Sequence, residues 1–170
     1  MTADEKTNQI ASLIAPLHAR SWQSAYRGIM PDHFLDFVVE GERLAHWRRR
    51  VRELEEGNGE VFLARLNDEP VGFLSIEANE MAETGVEGAY VNNLHVLPHL
   101  KRQGIGTALL QNGAEWARRQ GYKSMFLFVF EDNTAARAFY RADGWHTVDR
   151  MMSELPGGAL AAELRLVKQI

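Results

Sequence analysis

The chain contains no cysteine. That removes disulfides, thiolate metal sites and a cysteine nucleophile from the chemistry open to it, and it fits a reducing, cytoplasmic setting. No apolar run approaches the roughly 20 residues that a membrane-spanning helix needs. The first residues, Met1 to Asn8, are polar and charged and lack the apolar core of a signal peptide. No membrane partner is expected. Basic residues are not in excess: the formal net charge is −4, so there is no electrostatic case for a nucleic-acid partner. Six histidines occur without a paired ligand spacing, and no metal site is expected. Repeats, low-complexity tracts and an inter-domain linker are also absent.

What is present is the make-up of one ordinary globular domain. The 170 residues suffice to enclose a proper core, and a hydrophobic fraction of 45% is typical of such chains. Apolar spacing predicts a helix from about Asp4 or Thr7 to Tyr26, with Ile10, Leu13, Ile14, Leu17 and Trp22 on its buried side and Pro16 as a place for a kink. Asp32 is expected to cap a short helix from His33 to Val39. A separate helix is expected from Glu42 to Glu55, with Leu44, Trp47, Val51 and Leu54 on one stripe. The pattern then turns to strands at Glu60–Leu66, Val71–Ala78, Ala89–Leu97, Tyr122–Phe130, Trp145–Arg150 and Ala161–Lys168. Asn67-Asp68-Glu69-Pro70 reads as one turn and Pro156-Gly157-Gly158 as another. Helices are expected up to Arg119 and from Asn133 to Ala142. The fold class is therefore α+β, a mixed sheet flanked by helices.

The most telling stretch is Asn92 to Leu110. A strand ending at Pro98 leads into the basic loop Lys101-Arg102-Gln103-Gly104-Ile105-Gly106-Thr107, and a helix follows. Free backbone N–H groups and the positive end of the dipole meet at a helix start. Gly104 and Gly106 would let a phosphate come close to that backbone. The Lys-Ser/Thr pair of a Walker loop is missing, and so is the three-glycine dinucleotide fingerprint. Phosphoryl transfer is a poor reading for that reason. A pyrophosphate cradle is the better one, against the plainer alternative of a helix that starts at a glycine turn.

A second segment, Asn133-Thr134-Ala135-Ala136-Arg137-Ala138-Phe139-Tyr140 followed by Arg141-Ala142-Asp143-Gly144-Trp145, comes after another apolar strand. The two motifs in this order resemble the GNAT superfamily of N-acetyltransferases. The first is similar to that family's acetyl-CoA loop, and the second to its Asn-x-x-Ala-x-x-Phe-Tyr signature. The resemblance runs from about Val61 to Val148, with a fair match around Ser21 to Leu35. It implies a GNAT-like sheet of about six mostly antiparallel strands. It also implies a helical acceptor-side region over 1–57, an acetyl-CoA-binding core over 60–150 and a C-terminal strand over 159–170. The family usually has a strand before its first helix, for which this chain has little room.

The resemblance assigns roles residue by residue. Leu94, His95 and Val96 match the splayed strand that holds the pantetheine arm, and the Val96 backbone N–H matches the oxyanion donor. Lys101, Arg102, Gln103, Gly104, Ile105, Gly106 and Thr107 match the phosphate loop, with Lys101 where Arg or Gln is more common. Tyr140 matches the general acid, and it belongs with the cofactor-binding residues as well. Asn133 reads equally as a helix cap and as a cap that also touches the cofactor arm. The usual carboxylate positions hold Tyr90, Asn92 and Phe128, none of them a useful base. Glu77 is the candidate that remains on a strand bordering the site, with Glu87 and His95 as other possibilities. Trp22 and Tyr26 match acceptor-side positions and suit core packing equally well.

The sequence thus points to an acetyl-CoA-dependent N-acetyltransferase that uses acetyl-CoA as cosubstrate and no metal. Its expected partner is a primary amine of a small molecule or peptide. A non-catalytic acyl-CoA sensor of the same fold is the alternative, resting on the missing carboxylate. The closing strands are a place for a homodimer contact, which the sequence does not decide.

Overall fold

In the computed structural model, residues 3–28, 30–56, 59–79, 87–154 and 160–170 are described. Helix α1 spans Ala3–Ala25 and runs through Pro16. A π-helical turn, Phe34–Val38, leads straight into α2, Val39–Glu56. The break expected between Val39 and Glu42 is therefore not there. The reason lies in spacing: Leu35, Val39, Arg43, Trp47 and Val51 recur every four residues, and all five are buried. One continuous face favours one continuous helix. Asp32 does not cap; its carboxylate accepts a hydrogen bond from Arg27 Nη1 at 3.0 Å.

The strands are β1 (Gly59–Leu66), β2 (Glu69–Glu77), β3 (Ala89–Val96), β4 (Ser124–Phe130), β5 (His146–Glu154) and β6 (Leu160–Gln169). Strand β5 runs four residues further than its sequence pattern suggests, because its outer face is exposed and its pairing with β6 continues to Glu154↔Leu160. The turn expected at Pro156-Gly157-Gly158 lies outside the described residues. In β1–β2, Asn67 and Asp68 both have positive φ, the geometry of a two-residue hairpin turn, which Asn and Asp tolerate. The remaining helices are α3 (Ile105–Arg119) and α4 (Thr134–Ala142).

The six strands form one sheet in the order β1-β2-β3-β4-β6-β5. All neighbours are antiparallel except β3 and β4. Among the described residues no strand precedes α1. One face of the sheet, with Leu74, Ile76, Val91, Met125, Leu127 and Val129, packs on Leu109, Leu110 and Trp116 of α3 and on Tyr140 of α4. On the other face, Phe73 packs on Ile14 of α1 and on Trp47 and Val51 of α2. No helix among the described residues is long and apolar enough to cross a membrane.

Two irregularities prepare the site. Strands β3 and β4 pair only at Ala89↔Met125 and Tyr90↔Phe126 and then part. Between Ser75 and Ile76 the β2–β3 register also shifts. The bulge leaves Asn92 extra and turns Asn92 and Asn93 to the same side: Asn92 Nδ2 donates to Glu77 Oε1 at 3.0 Å, and Asn93 Nδ2 to Ser75 Oγ at 3.1 Å. A bulge bends its strand, and here it lies where β3 begins to leave β4.

Candidate active site

Beyond Tyr90, β3 has a sheet neighbour on one side only. Alternate residues of a strand direct their N–H and C=O to opposite sides. Leu97 N–H donates to Val71 C=O on β2 at 2.9 Å. By that alternation the groups of His95 also face β2, and those of Leu94 and Val96 face the opening between β3 and β4. The opening thus offers backbone donors and acceptors without a partner among the described residues at two of the three positions read from the sequence.

His95 is the third position, and it does not reach the opening. Its ring lies on the α1 side, with Nδ1 2.7 Å from Ser21 Oγ and the ring centroid 4.4 Å from that of His18. Burial first, then the charges of Lys101 and Arg43, push its pKa down to about 3. His18 accepts a hydrogen bond at Nδ1 from Trp47 Nε1 at 2.9 Å. Burial, followed by His95, Arg43 and His46, holds His18 well below its usual value. His46 is lowered to about 4, again chiefly by burial.

These three imidazoles make stability depend on pH. Each folded-state value lies below that of the unfolded chain, near 6.5. Above that pH both states are neutral and nothing is lost. As pH falls below it, the unfolded chain takes up protons that the folded chain refuses, and stability declines. The expected result is a melting temperature that is level above about pH 7 and falls steadily from about pH 6.5 to 5, before ordinary carboxylates titrate. A level melting temperature across that lower window, measured by circular dichroism, would contradict the buried neutral cluster.

At the foot of the opening, α3 begins. Gly104 occupies the N-cap with φ +82°, and a Cβ built there meets nothing within 4 Å. The first helical bond is Ala108 N–H to Gly104 C=O, 3.0 Å. Helical N–H groups before it have no intrahelical acceptor, which leaves those of Ile105, Gly106 and Thr107 free of the helix ladder. Lys101, Arg102 and Gln103 are exposed just ahead of them. Gly106 serves a different purpose from Gly104. A Cβ on Gly106 would come within 3.2 Å of Phe139 Cζ, so its smallness lets α3 pack against α4.

Helix α4 carries the second motif. Asn133 caps it, with Oδ1 accepting from Ala136 N–H at 3.2 Å. Tyr140 is buried, and its ring lies against Phe139 and Trp145 at 5.2 and 5.7 Å. Its hydroxyl has no hydrogen-bond partner among the described residues. Burial first, then Tyr26 and Asp143, pushes its pKa up, so the phenol stays protonated at neutral pH. Tyr26, just past the end of α1, is near enough to Tyr140 to add to that rise. Tyr26 packs edge-on against Trp22 at 5.4 Å and against Phe130 of β4 at 5.3 Å. The guanidinium of Arg43 sits 4.4 Å from the Trp22 ring centre.

Glu77 is held by two partners. Arg50 Nη2 of α2 donates to its Oε2, and Asn92 donates to Oε1. Both oxygens are engaged, so taking up a proton there would break an ion pair. Glu77→Gln is expected to lower the melting temperature by loosening α2 from β2 and to change turnover by less than about tenfold, because a group already committed to an ion pair contributes less as a base. A loss near 10²-fold or more at unchanged stability would make Glu77 the proton acceptor. Glu87 is exposed and contacts Ser124 through its backbone carbonyl. Sequence reasoning passed over Phe130 and Glu163. Both belong to alternating strands, where only the pairing partner reveals which face a residue takes.

A helix start with free N–H groups, a strand edge without a neighbour among the described residues and a buried phenol are what an elongated anionic acyl carrier such as a coenzyme A thioester would need. The molecule is thus a coenzyme A-dependent acyltransferase in class. Comparison with known proteins agrees. Residues 21–145 match the acetyltransferase (GNAT) family, and the chain belongs to it. The protein is an acetyl-CoA-dependent acetyltransferase, with amines as the family's acceptors. An uncharacterized N-acetyltransferase of Bacillus subtilis, YuaI, is 32% identical over 133 residues, covering 76% of this chain and 70% of that protein. Another from Methanocaldococcus jannaschii, MJ1207, is 27% identical over 147 residues, 86% of this chain and 58% of the relative. The crystal structure of a PaiA N-acetyltransferase from Thermoplasma acidophilum in complex with coenzyme A aligns over 96% of this chain and 95% of that one, with a TM-score of 0.76 and 15% identity. At that identity the likeness bears on the fold.

Proposed function

We propose that the protein transfers the acetyl group of acetyl-CoA directly to a primary amine of a small molecule or peptide, at the opening between β3 and β4. The observation that carries this reading is the parting of the two strands after Tyr90↔Phe126, supported by the free helix start of α3 and by a Tyr140 hydroxyl that makes no hydrogen bond among the described residues. In this reading the pyrophosphate lies over Gly104 to Thr107, with Lys101, Arg102 and Gln103 adding donors and charge. Backbone groups of Leu94 and Val96 hold the arm, and the Val96 N–H polarises the thioester oxygen and steadies the tetrahedral oxyanion. Asn133 has an amide N–H₂ with no acceptor among the described residues to offer the arm, while its carbonyl caps α4. Tyr140 gives its proton to the departing sulfur. Trp22 and Tyr26 wall the acceptor side.

A sensor without catalysis has less support. A pure binder has no use for a phenol whose hydroxyl makes no hydrogen bond among the described residues. Transfer is tested by following free-thiol release from acetyl-CoA with a panel of alkylamines and lysine-containing peptides. Acceptor-dependent release supports the reading, whereas binding without release from any amine favours the sensor.

A further inference from the structure

Resting on that reading, we propose that Glu163 of β6 receives the ammonium group of the acceptor and takes its proton, so that the enzyme selects amines that are cationic at neutral pH. The usual carboxylate positions hold Tyr90, Asn92 and Phe128, and Glu77 is tied to Arg50. The sheet supplies another carboxylate one strand further on. Glu163 pairs with Phe130 of β4 on one side and with Met151 of β5 on the other. Directly paired residues of neighbouring strands share a face, and Phe130 is the residue whose ring meets Tyr26. Leu164, the next residue, goes to the opposite face and into the core with Val129. Glu163 therefore stands on the acceptor face, beside the aromatic wall formed by Trp22, Tyr26 and Phe130.

Its surroundings leave it available. The Ser153 hydroxyl donates to Oε2 at 2.5 Å, and among the described residues no cation pairs with Glu163. Arg165, two residues on along the same face, is engaged with Asp149 at 3.4 Å, and Arg150 is engaged with Glu131. Tyr26 and Tyr90 are each raised to about 12, chiefly by burial; the charge of Glu163 adds to both, at Tyr90 after that of Glu77. Tyr26 in turn is felt by Tyr140. One carboxylate thus lies within electrostatic reach of both the acceptor wall and the β3 side of the opening. Aromatic faces beside a carboxylate are a favourable seat for an alkylammonium group.

The step balances as follows. The ammonium gives one proton to the Glu163 carboxylate. The freed lone pair forms the C–N bond at the thioester carbonyl, and the C–S bond breaks. Coenzyme A leaves with the proton of Tyr140, and the second proton lost from nitrogen restores the phenol. Glu163 returns its proton to solvent.

The test compares wild type and Glu163→Gln with two acceptors of the same length, 2-phenylethylamine, which is protonated at neutral pH, and O-benzylhydroxylamine, which is not. Acetyl-CoA affinity by calorimetry serves as the check on folding. The expected result is a loss in kcat/KM of about 10²-fold or more for the cationic amine, less than about threefold for the neutral one, and unchanged acetyl-CoA affinity. Equal losses for both amines would make Glu163 structural and overturn the inference, and so would no loss for either. Wild type that binds acetyl-CoA yet acetylates neither of these nor any amine of the wider panel would overturn the transferase reading and the inference together.

Discussion

Tyr140→Phe is expected to slow acetyl transfer by about 10²- to 10⁴-fold, the range that a positioned general acid contributes, and to leave acetyl-CoA affinity nearly unchanged. The substitution removes one oxygen and keeps the ring. The ring makes the packing contacts, with Phe139 and Trp145. The hydroxyl holds nothing in place among the described residues, so its removal costs no hydrogen bond there. Loss of a transition-state interaction lowers kcat and kcat/KM together, which separates this outcome from a binding defect. Single-turnover kinetics and calorimetry read the two quantities apart. A collapse of acetyl-CoA affinity would instead make Tyr140 part of the scaffold.

Gly104→Val is expected to weaken acetyl-CoA binding by more than about tenfold, which is about 1.4 kcal/mol. Two effects combine. The side chain would stand in the space over the free N–H groups, where a Cβ now meets nothing within 4 Å. A left-handed backbone also suits no β-branched residue, and the strain costs roughly 1–2 kcal/mol of stability. Gly121→Val separates them. Gly121 has φ +89° and equally open surroundings, but it lies past the other end of α3. The two variants should lose similar stability, and only Gly104→Val should lose affinity for acetyl-CoA. Equal affinities by calorimetry would remove the cradle from the account.

The order of elements was legible in the sequence, and so was the glycine-opened start of α3 after β3, because glycine spacing and strand-to-helix order are local features. Position in the loop did not reveal purpose, however: Gly104 opens to solvent and Gly106 to Phe139, a distinction that exists only once α4 has docked. The direction of the His95 backbone groups was not legible for a similar reason. It depends on the phase of pairing with β2. The bulge at Asn92 has no signature in a single chain. Glu163 looked like any charged residue of a closing strand, and only its pairing with Phe130 sets it on the face that meets Tyr26. The single helix through Leu35, Val39 and Trp47 was hidden by Gly41, which sits inside the helix at no visible cost to its buried stripe.

Calorimetric titration of the purified protein with acetyl-CoA tests the central claim most directly. The account predicts saturable one-to-one binding, displaced by free coenzyme A and weakened as salt rises, because phosphates at a helix start and basic loop are held partly by charge. No heat of binding and no competition would contradict the assignment of the opening between β3 and β4 as the acetyl-CoA site.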